Sequence, residues 1–258
     1  MDATTPYYFA LAGAIPALIA MWWIDRLDAK RPEPPRLLRK AAFYGTLSAV
    51  AAIIGGLIVD SVVKNVAMPP HGFAAAAFKA FIIAGLVEEV CKFGAMRIAV
   101  WNKADFDERM DGIVYASRAA LGFALVENML YMFSQRELGT AMLVFVLRAC
   151  LSVPGHMMWT GIAGAFAARR RFDQRGTGTL GGLFVATLFH GLFDFSIFAM
   201  APLSESIGDA AAVLLVGPFV LTYVVYRYFR RLQRAALAAD NADPVLAGRH
   251  VATAAPAG

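Results

Sequence analysis

Two adjacent carboxylates, Glu88 and Glu89, stand in the middle of an apolar run, Leu86-Val87-Glu88-Glu89-Val90-Cys91-Lys92. From Phe73 to Trp101 most other residues are Ala, Ile, Phe, Val or Gly, enough chain to cross a bilayer as a helix. An ionised side chain at that depth costs about 3 kcal/mol or more unless it is paired or faces a water-filled cavity. Lys92 lies four residues after Glu88 and three after Glu89, so either acid can share a helical face with it. A structural ion pair needs one of them. The second carboxylate points to chemistry.

The rest of the chain suits a bilayer. Of 258 residues, 59% are hydrophobic and 17% charged, against about a quarter charged in soluble domains, and the mean hydropathy is +0.57. The net charge of +5 does not point to nucleic acid, because the cations fall in short clusters between apolar runs, the topology signal of membrane proteins. Cys91 and Cys150 lie within apolar segments and form no C-x-x-C, which argues against a zinc ribbon or a disulfide framework. The N-terminus lacks a basic n-region and a small-residue cleavage site, so its first apolar run is expected to remain as an anchor.

Apolar runs at 7–24, 41–63, 73–101, 112–133, 141–168, 179–200 and 210–229 predict an all-α fold, a polytopic membrane bundle of about seven transmembrane helices. No internal repeat or second domain is visible; residues 1–234 read as one transmembrane domain and 235–258 as a disordered cytoplasmic tail with no apolar face to dock it. The loops after the first, third, fifth and seventh runs hold most of the Lys and Arg, whereas the other side has essentially Lys64 and Arg136. The positive-inside rule then puts the N-terminus outside and the C-terminus in the cytoplasm, in the inner (cytoplasmic) membrane.

Counting along each helix from its basic end puts Glu88, Glu127, His156 and His190 all roughly 20 Å deep at 1.5 Å per residue. Four helices thus bring titratable groups to one level, which implies a shared polar cavity. Arg148, Ser152, His156 and Thr160 form a stripe at four-residue spacing, and His190 and Asp194 are four apart, a spacing that lets a carboxylate orient an imidazole. Each feature also has a structural explanation. Lys92 with one Glu could be an interhelical staple, Asp194 could pair with Arg118 or Arg148, and Ser152 and Thr160 are common packing residues. Those explanations weaken for the full set, which has too few cations to neutralise its acids.

Glu88-Glu89-Val90-Cys91-Lys92 resembles the E-E-x-x-K motif of the PrsW family of intramembrane proteases. Phe123 to Glu127-Asn128 resembles its F-x-x-x-E-N helix, and His156 with Thr160 and His190-Gly191-Leu192-Phe193-Asp194 are similar to its two later histidine motifs. Arg118 departs from the small residue of the family pattern. The family is in turn similar to the CAAX-prenyl endopeptidase and bacteriocin-processing group. The resemblance implies hydrolysis of a peptide bond in a single-span membrane protein, such as an anti-sigma factor, within or beside the lipid bilayer.

Glu88, with Glu127 opposite, would activate a water, and Glu89 would orient the pair or hold Lys92; the resemblance to the CAAX-processing group implies that His190 with Asp194 would face the oxyanion and His156 would assist. Asn128 is a supporting residue. No metal or other cofactor is expected, with zinc held by Glu and His as the alternative. An ion- or proton-coupled transporter using these groups as relays is a reading from another class, and a non-catalytic scaffold a further one.

Overall fold

The computed structural model describes residues 4–66 and 71–246, and among these every regular element is helical. Helix α1 is Thr5–Ile24, α2 Pro35–Val66, α3 residues 72–100, α4 Arg109–Phe133, α5 Leu138–Asp173, α6 Gly178–Phe198, α7 Met200–Ile207 and α8 Val216–Ala242. Six stretches are long and apolar enough to cross a membrane. Helix α3 is as long, but Lys79, Glu88, Glu89, Lys92 and Arg97 interrupt its apolar character. The all-α bundle expected from the sequence is thus the fold. The expected loop around Pro69-Pro70 lies outside the described residues.

The outward faces of α1, α2, α6 and α8 carry Ile19, Leu57, Phe184 and Phe219, each more than half exposed. A water-soluble protein would not leave so much apolar surface open. Trp22 lies exposed near one end of α1 with the Arg26 guanidinium 3.6 Å from its ring centroid, an arrangement suited to the headgroup level.

Helix α4 is the axis of the bundle. Every residue from Met110 to Ala124 is buried, packed among α1, α2 and α5. Small residues permit this, since lipid gives apolar helices little reason to associate and close backbone contact must do it instead. A Cβ on Gly164 of α5 would lie 1.8 Å from the carbonyl oxygen of Gly112, and one on Gly122 would lie 2.0 Å from that of Ala42 in α2. No larger side chain fits either crossing.

Two helices depart from α geometry beside the site. Residues Phe78–Glu88 of α3 are π-helical, as are Arg148–Ser152 of α5. The second lies just before Pro154, which has no N–H to give and would crowd the preceding turn of an ordinary α-helix. Widened turns of this kind recur at functional sites because they re-aim side chains.

The basic linkers meet at one end. Arg31 pairs with Glu108, and Arg36 with Asp105 at 3.4 Å, joining the linker after α1 to the loop before α4. Arg109 reaches Asp173 at the end of α5 at 2.7 Å, and Asp240 of α8 at 2.9 Å.

The last contact corrects the expected tail. Helix α8 runs on to Ala242, and Leu246 is also buried. The docking of residues 235–242 was invisible to an apolar pattern because the one buried residue among them, Asp240, is polar, as is buried Gln233 just before them. Asp240 accepts hydrogen bonds from the backbone N–H groups of Arg109 and Met110, both at 3.0 Å, and so satisfies donors at the start of α4 that have no partner within their own helix. Residues 247–258 lie outside the described residues. Truncation after Ala239, or Asp240→Ala, should therefore lower the thermal stability of the detergent-solubilised protein by about 2–3 kcal/mol, since it leaves two backbone N–H groups without an acceptor and takes one of its carboxylates from Arg109. Unchanged melting of both variants would contradict this docking.

Candidate active site

The π-helical stretch of α3 ends at the doubled glutamate, and the two carboxylates have different surroundings. Glu89 points inward and has no solvent exposure. Its Oε1 lies 2.8 Å from Lys92 Nζ and 3.0 Å from His190 Nδ1, while its Oε2 accepts a hydrogen bond from Thr160 Oγ1 at 2.7 Å. One carboxylate thus joins α3, α5 and α6. Glu88 keeps 17% of its side chain accessible, with Oε2 at 3.2 Å from Lys92 Nζ and 3.9 Å from His190 Nε2. That oxygen has no hydrogen bond of good geometry.

Lys92 is fully buried, and its ammonium also lies 2.9 Å from His156 Nδ1 and over the Phe123 ring, 4.4 Å from the centroid. An ammonium can only donate, so His156 accepts at Nδ1 and carries its proton on Nε2. That proton points at Glu127 Oε2, 2.8 Å away. Glu127 is held on the same oxygen by Arg148 Nη2 at 2.6 Å, and Arg148 Nε donates to Asn128 Oδ1 at 2.5 Å. Asn128 in turn donates to the Gly13 carbonyl of α1 at 3.3 Å.

His190 lies flat against Trp159, with ring centroids 4.3 Å apart and planes 14° from parallel. Its Nδ1–H serves Glu89, which leaves Nε2 facing Glu88 and Asp194 Oδ2, the latter 3.5 Å away. Gly191 lets this helix approach α3, since a Cβ there would lie 2.2 Å from the Phe81 ring.

A cavity of about 950 Å³ opens onto this constellation. Glu88, Glu127, His156, His190 and Asp194 line it together with mainly apolar walls that also carry Asp60, Lys64, Lys79 and Arg148. The structure therefore brings all six sequence-selected acids and histidines into one network, with Glu89 behind the wall. Glu127 is not left free opposite Glu88, because Arg148 and His156 both hold it. Asp194 pairs with neither Arg118 nor Arg148. Arg118 lies elsewhere, 3.5 Å from Asp25 and 3.4 Å from the Leu38 carbonyl, an interior use for the residue that departs from the family pattern. Trp159, which orients His190, was missed in the sequence, although it stands three residues after His156 on the same stripe.

Glu88, His156 and His190 also offer one ligand atom each within 4.8 Å of one another. One carboxylate and two imidazoles are a donor set that zinc takes in hydrolases. Glu88 and the Nε2 of His190 have capacity to spare, and Glu89 behind His190 is the outer carboxylate that such a histidine usually has. His156 would exchange one of its two present bonds for the ion. In donor type and spacing the set fits.

A membrane bundle with a cavity walled by acids and imidazoles suits a membrane-embedded enzyme. Residues 33–225 match the profile described as PrsW family intramembrane metalloprotease. The protein named Protease PrsW of Clostridioides difficile (strain 630) is 34% identical over 190 residues, covering 72% of this chain and 77% of that one. Those of Bacillus subtilis (strain 168) and Oceanobacillus iheyensis are 28% identical over 193 residues (74% and 83% covered) and 26% identical over 227 residues (87% and 94% covered). No solved structure matches. The chain belongs to the PrsW family and is an intramembrane protease.

Lys92 is the neutralising charge of this interior. Lys92→Met should destabilise the protein by about 3–5 kcal/mol, because it leaves two buried glutamates and the His156 ring without their donor. Thermal melting of the purified variant checks this, and a wild-type melting temperature would count against the ion pair as a structural element.

Proposed function

We propose that the protease hydrolyses its membrane-protein substrate with a water activated by Glu88. The observation that carries this reading is the unequal engagement of the three glutamates. Glu89 and Glu127 each have a carboxylate oxygen within hydrogen-bond distance of both a cation and a histidine, whereas Glu88 meets Lys92 through Oε2 alone, lies beyond hydrogen-bond distance of His190, and keeps Oε1 unengaged on a side chain 17% open to the cavity. A general base needs such an available oxygen. Glu88 takes a proton from a cavity water as the water oxygen bonds to the scissile carbonyl carbon. The carbonyl π pair moves onto its oxygen. As the C–N bond breaks, Glu88 returns the proton to the leaving nitrogen, and the oxyanion collapses to a carboxylic acid. His190, held in place by Glu89, Trp159 and Asp194, faces the oxyanion through Nε2 and would donate to it in its doubly protonated form, the added proton coming from solvent in the cavity. His156 holds its proton toward Glu127 and, with Arg148, occupies Oε2 of that carboxylate.

A metal-dependent version is favoured by the description of the family and by the 4.8 Å donor cluster. Glu88, His156 and His190 would hold the ion, and a zinc ion so bound would supply Lewis acidity to the water and carbonyl. The substrate we infer is a single-span membrane protein of the anti-sigma-factor kind, since the cavity lies inside the bundle and its walls are mainly apolar. It is cut in the inner membrane, with no nucleic-acid partner.

Proteoliposomes holding the enzyme and a tagged single-span protein test the reading. Glu88→Gln should reduce cleavage by at least about a hundredfold while melting at or slightly above the wild-type temperature. Cleavage lost to a chelator and restored by zinc would select the metal-dependent version, and resistance to chelation the metal-free one. Wild-type cleavage by Glu88→Gln would remove Glu88 from the chemistry.

The loop charges support an N-terminus outside and the end of α8 in the cytoplasm. Single cysteines introduced at Thr5 and Glu137 should react with an impermeant thiol reagent on intact cells, and one at Asp105 only after permeabilisation. The opposite pattern would invert the molecule.

A further inference from the structure

The end of the bundle where the basic linkers meet holds a second acidic cluster, separate from the cavity. Asp28, in the turn after α1, is 1% exposed, and neither of its carboxylate oxygens has a hydrogen-bond donor. One of those oxygens lies within 4.8 Å of an oxygen from Glu33 and one from Glu108, and all three residues are buried. Asp111 stands beside them, and Glu108 Oε1 and Asp111 Oδ1 also lack a donor. The groups that could satisfy the cluster are already in use. Tyr115 donates to Glu33 Oε2, Arg31 to Glu108 Oε2, and the backbone N–H groups of Asp107 and Glu108 to Asp111 Oδ2. Arg109 is engaged by Asp240, Asp173 and Asp243.

Arg31 is therefore left against four carboxylates. A buried carboxylate with neither donor nor counter-charge is costly, and a missing cation or proton is what remains to supply one.

We propose that Asp28, Glu33 and Glu108 bind a hard divalent cation, calcium or magnesium, which ties the linker after α1 to the start of α4. The donors are all carboxylate oxygens, which suit these ions and not a soft thiolate-seeking metal. The three ligands come from the linker between α1 and α2 and from the N-cap of α4, so the ion would close the basic end of the bundle around its central helix. A proton shared between Asp28 and Glu108 is the competing way to satisfy the same atoms.

The two are separated by measuring the ion itself. Full-length protein in detergent is stripped with chelator and dialysed against calcium or magnesium, and bound metal is determined together with the melting temperature. The wild type should take up a single equivalent saturably and melt higher with it. Asp28→Asn should weaken that uptake about tenfold or more, because affinity for these ions follows ligand charge, and Glu33→Gln serves in its place if Asp28→Asn does not fold. Glu88→Gln should bind the ion as the wild type does. Absence of saturable uptake by the wild type would leave the proton-sharing arrangement and overturn the proposal. So would uptake that survives in both cluster variants, or uptake that is lost in Glu88→Gln, which would assign the ion to the cavity.

Discussion

The ammonium of Lys92 is the charge around which the interior is arranged. It is fully buried and touches Glu88, Glu89 and His156, so it orients one acid pair and sets the tautomer of one imidazole together. Glu89 then fixes His190, and His156 reaches Glu127, so a single cation organises groups from α3, α4, α5 and α6. A buried ion pair is a weak source of net stability, because removing both charges from water costs nearly as much as their attraction returns. Its use here is orientation. The network encloses Glu89 entirely, while Glu88 meets the cation through one oxygen and stays partly open to the cavity, so two neighbours in the chain have different surroundings.

Much of this was legible in the sequence, and the reason is the bilayer. A polar side chain within an apolar run needs a partner, so each such residue announces a contact even before its partner is known. Glu88, Glu127, His156, His190 and Asp194 were found in this way, as was their common depth. Division of labour among the acids was not. Nothing in spacing says that Arg148 would take Glu127 and not Asp194, since both choices lie within reach of a long flexible side chain. The π-helical turns were also hidden, because they depend on how one residue is accommodated within a helix and not on an apolar period.

At the basic end the same reasoning gave less. Outside the apolar runs charged residues are ordinarily solvated, so Asp28, Glu33 and Glu108 read as linker and loop residues. They are buried because α1, the linker and α8 fold over the start of α4, a tertiary event with no local signature. Asp240 is the plainest case. It stands in an Ala- and Asp-rich segment that reads as a tail, yet it satisfies two backbone donors of the central helix.

The two ends of the molecule also differ in how they meet dissolved ions. At physiological ionic strength mobile ions screen charges over about 8 Å of water, and they act on pairs that water can reach. Arg36 and Asp105 are such a pair, with side chains 74% and 35% exposed. Lys92 and Glu89 are wholly enclosed, so no salt atmosphere forms between them. Ionic strength therefore loosens the outer straps of the bundle while the field inside the cavity stays as the protein has set it.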